Sequence, residues 1–139
     1  MLDQLGQVDW LSESFDLTEE LPQFTGKYIL NQSKHQSNFW ITKPTSMAKS
    51  IDMAVSDNLD LILRMAETGP KIACSYISNP LKFRGAKFDL RFYVLVKSIE
   101  PFEVYVHESF HIRVSKNDFT MDKRRLFQYD THFTVRRLN

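Results

Sequence analysis

The residues best suited to chemistry fall in one run, Lys87-Phe88-Asp89-Leu90-Arg91-Phe92-Tyr93-Val94-Leu95-Val96. Side chains on a strand alternate between faces. Phe88, Leu90, Phe92, Val94 and Val96 then form a face without a polar atom, and the opposite face begins Lys87, Asp89, Arg91, Tyr93. Two cations held apart by a carboxylate suit phosphate or another anionic oxygen, since ionised donors make the strongest hydrogen bonds to such groups. The competing reading is a cross-strand ladder of ion pairs on an open sheet, and periodicity alone favours that ladder.

The neighbouring sequence extends the same faces. Phe102, Val104 and Val106 alternate with Glu103, Tyr105 and His107, while Phe110, Ile112 and Val114 alternate with His111 and Arg113. An antiparallel sheet of strands at 87–97, 102–107 and 110–114 is therefore expected, joined by short turns. Its apolar side should pack on helices, with Lys87, Asp89, Arg91, Tyr105 and Arg113 on or near the other side. Lys43 ends a separate strand and is expected to reach the same polar cleft. His107 and His111 are four apart across an expected turn, so helical metal-ligand spacing does not apply, and Cys74 reads as a core filler.

Other elements must hold these strands. Leu21, Phe24 and Tyr28 recur at helical spacing, and Pro22 suits a first turn, which predicts a helix from 21 to 30. A polar loop at 33–38 leads to a strand at 39–43, stopped by Pro44, and then to a loop at 45–50. Leu59, Ile62, Leu63 and Ala66 make the apolar stripe of a helix at 57–67, capped by Ser56 or Asp57 and ended by Gly69-Pro70. That helix is the expected partner of the Phe88–Phe92 face. A strand follows at 71–77. Residues 115–139 show no clear period. The fold class is α+β, an antiparallel sheet with packed helices.

Composition narrows the function. With 42% hydrophobic and 13% aromatic residues among 139, the chain has the material for a core. A formal net charge of +1 is not that of a generic nucleic-acid binder, so a nucleic-acid partner is not favoured. A third reading, in which Arg91-Phe92-Tyr93 stacks single-stranded bases, is opposed by the alternation that turns Phe92 to the apolar face. The charge is uneven: residues 1–20 hold six acids and no Lys or Arg, leaving 18 basic against 11 acidic residues in the remainder, an excess of +7. That remainder suits an anionic partner. One cysteine excludes a disulfide framework, and no run reaches the roughly 18 apolar residues of a membrane span. The first residues lack a signal-peptide pattern. A protein of a reducing compartment, cytoplasmic or also nuclear, is expected, with no membrane partner. Glycine is scarce, at four residues, and no repeat, flexible linker or internal boundary is evident.

Several separate motifs then match a family in order: Trp40-Ile41-Thr42-Lys43-Pro44, Ser75-Tyr76-Ile77-Ser78-Asn79-Pro80, Lys87-Phe88-Asp89-Leu90-Arg91 with Tyr93-Val94-Leu95, Arg113, and His132-Phe133-Thr134. Together they resemble the tubulin–tyrosine ligase-like family. The resemblance implies an ATP-grasp-type domain, of which residues 1–139 would be a fragment. It implies ATP and Mg2+ as cofactors, tubulin or microtubules as partner, with histone as another, and ligation of an amino acid through an ATP-activated carboxylate. By the same resemblance Lys43 reaches ATP phosphates, and Ser75, Tyr76 and Ile77 form the hinge that reads the adenine edge. Lys87, Asp89 and Thr134 lie at the nucleotide, while Arg91 and Arg113 steady the phosphates or an acyl-phosphate.

Three departures shape the expected function. Residues 45–52 contain no glycine, where the family has a glycine-containing loop. The hinge's usual Gln-Lys pair is Cys74-Ser75, and the family's His-Leu-Thr-Asn is His132-Phe133-Thr134-Val135, whose valine makes no polar contact. The family's magnesium-binding carboxylates lie beyond the position of Asn139, so no metal ligand is expected here. The resemblance thus implies a divergent or inactive ligase domain that acts through nucleotide or protein binding. The alternative is an ATP-dependent ligase when full length.

Overall fold

A computed structural model describes residues 11–46, 52–134 and the backbone of 136–138. The chain divides into two compact units, residues 1–79 and 80–139. Scarce glycine gave no sign of this division, because the connection at Asn79-Pro80 is too short to read as a linker.

The first unit is a four-stranded antiparallel sheet with two helices. Strands β1 (Ser14–Asp16), β2 (Trp40–Pro44), β3 (Ala54–Ser56) and β4 (Lys71–Ser75) lie in the order β1-β4-β2-β3. Helix α1 (Leu21–Ser33) buries Phe24, Tyr28 and Asn31, at intervals of four and three. It continues through the start of the expected polar loop. Asn38 then ties the helix to the next strand, donating to the Tyr28 carbonyl at 2.9 Å and accepting from Trp40 Nε1 at 3.1 Å. Helix α2 (Leu59–Glu67) is capped by Asn58, whose side chain accepts from the Leu61 amide at 3.0 Å. The cap lies one residue beyond the expected Asp57 because Ser56 closes β3 and its hydroxyl accepts from the Asn58 amide.

Trp40, only 1% exposed, centres the core of this unit. The Phe24 ring meets it edge-on at 5.1 Å and the Phe15 ring at 5.9 Å, geometries that aromatic quadrupoles favour. Leu17, Ile62 and Ala73 complete the cluster.

The second unit is another antiparallel sheet, β5-β6-β7-β8, from β5 (Lys82–Phe83), β6 (Ala86–Ser98), β7 (Glu103–Asp118) and β8 (Arg136–Leu138). Arg84 and Gly85 have φ of 50° and 86°, the two positive values that a two-residue hairpin turn demands. The φ at Gly85 is one that favours glycine, and a Cβ there would also meet the Asp118 carboxylate at 2.8 Å and make that side chain shift. Strand β7 is continuous where two strands were expected, at 102–107 and 110–114. Val94 pairs with Val106 and Phe92 with Phe110, so β7 carries two extra residues at this point. The His107 Nδ1 accepts from the Ser109 amide at 3.0 Å and closes that bulge. The turn expected between His107 and His111 is thus a bulge within one strand. A short helix α3 (Tyr129–His132) packs on β7 and β6.

The apolar face of β6 does not have the expected cover. Leu90 is 45% exposed, Phe92 51%, Val94 56% and Val96 53%. Their ladder partners Val104, Val106 and Phe110 are exposed as well. Alternation therefore placed these residues on one face correctly, but not in a core. The hairpin extends well past its short flanking strands, since β5 pairs only near Ala86 and Lys87, and β8 only with residues 112–114 of β7.

This distinction is measurable. Trp40→Ala should cost about 3–5 kcal/mol in urea unfolding followed by circular dichroism, as for a large core side chain. Phe92→Ala should cost no more than about 1 kcal/mol, the worth of its ring pair with Phe110 at 5.1 Å. Equal losses would contradict the assigned burial.

Candidate functional site

The residues singled out in the sequence divide between the units, and each set has its own geometry. In the second unit the β6–β7 register sets Asp89 opposite Arg113 and Arg91 opposite His111. The Asp89–Arg113 pair is bidentate. Arg113 Nε donates to both carboxylate oxygens at 3.2 Å, and its Nη2 donates to Oδ2 at 2.6 Å. The same Nη2 is 3.4 Å from Thr134 Oγ1, which brings the end of α3 onto the charged face. Arg91 Nε stands 3.6 Å from Asp89 Oδ2 and its side chain is 58% exposed, against 26% for Arg113. One carboxylate thus serves two guanidiniums unequally, holding Arg113 firmly and leaving most of the Arg91 fork open.

Partial burial would raise the Asp89 carboxyl. The hydrogen bonds from Arg113 and Thr134 and the charges of Arg113 and Arg91 together outweigh it and hold the carboxyl below its ordinary value. Asp89 is therefore a carboxylate at neutral pH. A cavity of about 390 Å³ opens beside the pair, lined by Leu90, Arg91, Phe92, Tyr93, His111 and Arg113. Tyr93 and His111 meet edge-to-face at 5.7 Å. Lys87 is half-buried at the start of β6, and its amide donates to Ser115 Oγ at 3.0 Å.

His132 went unassigned beyond its motif, and the structure gives it a place. It is 1% exposed and its ring meets Phe119 edge-on at 5.7 Å. Burial pushes its pKa down, partly countered by a backbone hydrogen bond at Arg125, while the nearby charges of Lys87 and Arg125 push it down further. Val135 lies outside the described residues, as do Trp10 and residues 47–51.

In the first unit Lys43 is exposed near the end of β2 and pairs with Ile72. The Ser75 amide donates to the Glu13 carbonyl and the Tyr76 amide to the Phe39 carbonyl, both at 2.8 Å. Two of the three N–H groups of the expected hinge are thus engaged within the chain. Ile77 is 61% exposed, and its N–H meets no acceptor among the described residues. Tyr76 is buried, and burial pushes its phenol well above the usual tyrosine range. Cys74 is a free, half-buried cysteine within β4.

Two residues of this unit carry a constellation that the sequence did not announce. Lys71 is 1% exposed and pairs with Asp52 at 2.6 Å. Nothing in the local pattern distinguishes it from an ordinary solvated lysine at a strand start.

Among the described residues no three His, Cys, Asp or Glu side chains converge as metal ligands. No helix there is long and apolar enough to cross a membrane.

Against this geometry, comparison with known proteins is decisive. The pattern of the tubulin-tyrosine ligase family matches residues 2–139. This chain belongs to that family. It is 42% identical over 136 residues to tubulin–tyrosine ligase-like protein 12 of Caenorhabditis briggsae and 36% identical over 131 residues to the protein of that name from Homo sapiens. Each alignment takes in 91% of this chain and 20% of the relative. Tubulin glycylase 3E of Tetrahymena thermophila is 30% identical over 146 residues, with 94% of this chain and 10% of the relative aligned. The chain thus spans about a fifth or less of the length of these curated relatives. The motifs Trp40-Ile41-Thr42-Lys43-Pro44, Lys87-Phe88-Asp89-Leu90-Arg91 and His132-Phe133-Thr134 all lie within the residues that match the family.

The buried histidine sets a pH dependence. Its folded pKa lies below the ordinary ~6.5, so the unfolded state binds more protons in acid. Stability should be full above about pH 6.5 and fall as pH drops through that value towards the folded one. Asp89 adds a second loss only in stronger acid, below the ordinary carboxylate value of about 3.9. Unfolding titrations between pH 7.5 and 4.5 should show the first slope, and His132→Gln should flatten it. An unchanged slope in that variant would assign it to another group.

Proposed function

We propose that this chain supplies the nucleotide- and acceptor-facing strands of a divergent tubulin–tyrosine ligase-like domain, of which residues 1–139 are a part. In this reading the domain acts chiefly by binding ATP and an acidic protein segment, with tubulin as the class of partner. The observation that carries it is the unequal sharing of Asp89. Arg113 is fixed by a bidentate pair, whereas Arg91 presents a largely exposed guanidinium to a cavity on the same strand pair. A simple ion-pair ladder would neutralise each cation in turn. Here two guanidiniums and one carboxylate leave a net positive face, which suits an anionic oxygen.

The roles follow from chemistry. Lys43, exposed on β2, can meet a phosphate. The Ile77 N–H can serve the adenine edge, with Ser75 and Tyr76 fixing the backbone that presents it. Lys87 and Arg91 supply charge, Asp89 and Thr134 orient Arg113, and Arg113 can steady a phosphate or an acyl-phosphate oxygen. Residue types of the described chain fit the anionic oxygens of ATP. They do not fit Mg2+, because Asp89 is already engaged by two arginines and no other carboxylates gather beside it. No catalytic step through a metal is therefore assigned to these residues.

A second reading draws on the glycylase among the relatives. In a longer polypeptide the same strands would serve an ATP-dependent ligase that adds an amino acid to tubulin or another protein. These 139 residues alone are expected not to incorporate labelled amino acid into tubulin. Incorporation above a control without ATP would favour the enzymatic reading.

Calorimetry tests the binding reading in the longest natural polypeptide that carries this sequence. ATP should bind weakly, with affinity falling steeply as salt rises, because charge carries the contact. Lys43→Ala should remove roughly 1.5–3 kcal/mol, about one to two factors of ten in affinity. Arg91→Ala should act similarly while the fold is retained. Tight binding that ignores salt and survives both changes would remove Lys43 and Arg91 from phosphate binding.

A further inference from the structure

Lys71 has no part in the reading above, yet it is the most deeply buried charge among the described residues. Lysine is almost never fully buried unless paired. Its Nζ donates to Asp52 Oδ2 at 2.6 Å and to Thr68 Oγ1 at 2.7 Å. These partners come from different places. Thr68 ends α2, where its hydroxyl donates to the Met65 carbonyl at 2.8 Å. Asp52 lies two residues before β3 and has a φ of 57°, a left-handed conformation that a non-glycine residue holds only when its surroundings enforce it.

The other end of the same connection is fastened at the same corner. The Thr45 amide donates to the Pro70 carbonyl at 3.2 Å, and the Thr45 hydroxyl lies 3.4 Å from that oxygen. The chain leaving β2 and the chain approaching β3 are thus both secured to residues 68–71. Ladder partners share a face, so Lys71 lies with Pro44 and Thr42, while Lys43, paired with Ile72, lies on the opposite face. The charge of Lys71 is spent on the far side of the sheet and does not compete with that of Lys43. The pair is also asymmetric, with Lys71 at 1% exposure and Asp52 at 40%. The lysine is the fixed anchor, and the aspartate is the end it holds.

We infer that Lys71 is a positioning residue, whose buried ammonium holds Asp52 and with it the corner that carries Lys43. In a connection without glycine, this ionic tether enforces the left-handed turn at Asp52 that a glycine would adopt unaided. The link to nucleotide affinity rests on the proposed role of Lys43; the link to backbone order does not.

Two measurements on the longest natural polypeptide separate these. Hydrogen exchange reads the corner directly. Lys71→Met and Asp52→Asn should each speed exchange at the amides of Thr45 and residues 54–56 by about tenfold or more, while those of Phe24 and Tyr28 in α1 stay slow. ATP titration should show about a tenfold loss in each single variant and no further loss in the double, as for two residues acting as one unit. Lys71→Arg should keep most of the affinity. If Lys71→Met fails to fold, Asp52→Asn and Thr68→Val decide the matter. Unchanged exchange at the corner, or a rise spread equally over α1, would overturn the inference. So would ATP binding that needs Lys43 but ignores Asp52→Asn. An unmutated protein that binds no ATP would instead end the proposed role of Lys43, and exchange alone would then judge Lys71.

Discussion

The chemistry of the second unit depends on one register. Because β6 and β7 pair with Asp89 opposite Arg113, a carboxylate and a guanidinium face each other across adjacent strands and lock in two parallel hydrogen bonds. A slip by one residue would send every side chain of the moving strand to the other face and put Arg113 among valines and phenylalanines. The ladder therefore determines which cation is clamped and which is left largely exposed. Thr134 reaches this pair only because α3 packs on the same two strands, so the third contact follows from the first.

The first unit solves a different problem. Its sheet is small, and an edge-to-face aromatic cluster around Trp40 supplies its two largest fully buried side chains, Trp40 and Phe24. Polar groups at its margins are matched individually. Asn38 links α1 to the Trp40 indole, Asn58 caps α2, and Lys71 ties α2 to the approach of β3. The Asn38 and Lys71 contacts leave no buried indole or ammonium donor unmet at these margins.

Much of this was legible from spacing. Phe24 and Tyr28 announced α1, Ile62 and Ala66 announced α2, and strict alternation from Lys87 to Val96 identified β6 together with both its faces. The antiparallel α+β class followed. What alternation cannot report is whether a face is covered, since that depends on what lies against it rather than on the strand itself. Phe92 was expected in a core and is half exposed for this reason. The strands β1, β3, β5 and β8 are two or three residues long, too short for a period to appear. In the site, charge type and order pointed to Asp89, Arg91 and Arg113, but only the register shows how the carboxylate is shared. Lys71 and His132 were invisible as buried groups because burial of a lone polar residue leaves no mark on the residues beside it.

The long hairpin has a thermodynamic corollary. Denaturants act in proportion to the surface that unfolding uncovers, and heat capacity changes mainly with newly wetted apolar area. Residues 90–96 and their partners on β7 already meet water on much of their surface. Melting that stretch wets little that was dry. The unfolding of these 139 residues should accordingly respond to urea less steeply, and take up less heat per degree, than that of a chain of equal length whose two longest strands lay inside a core.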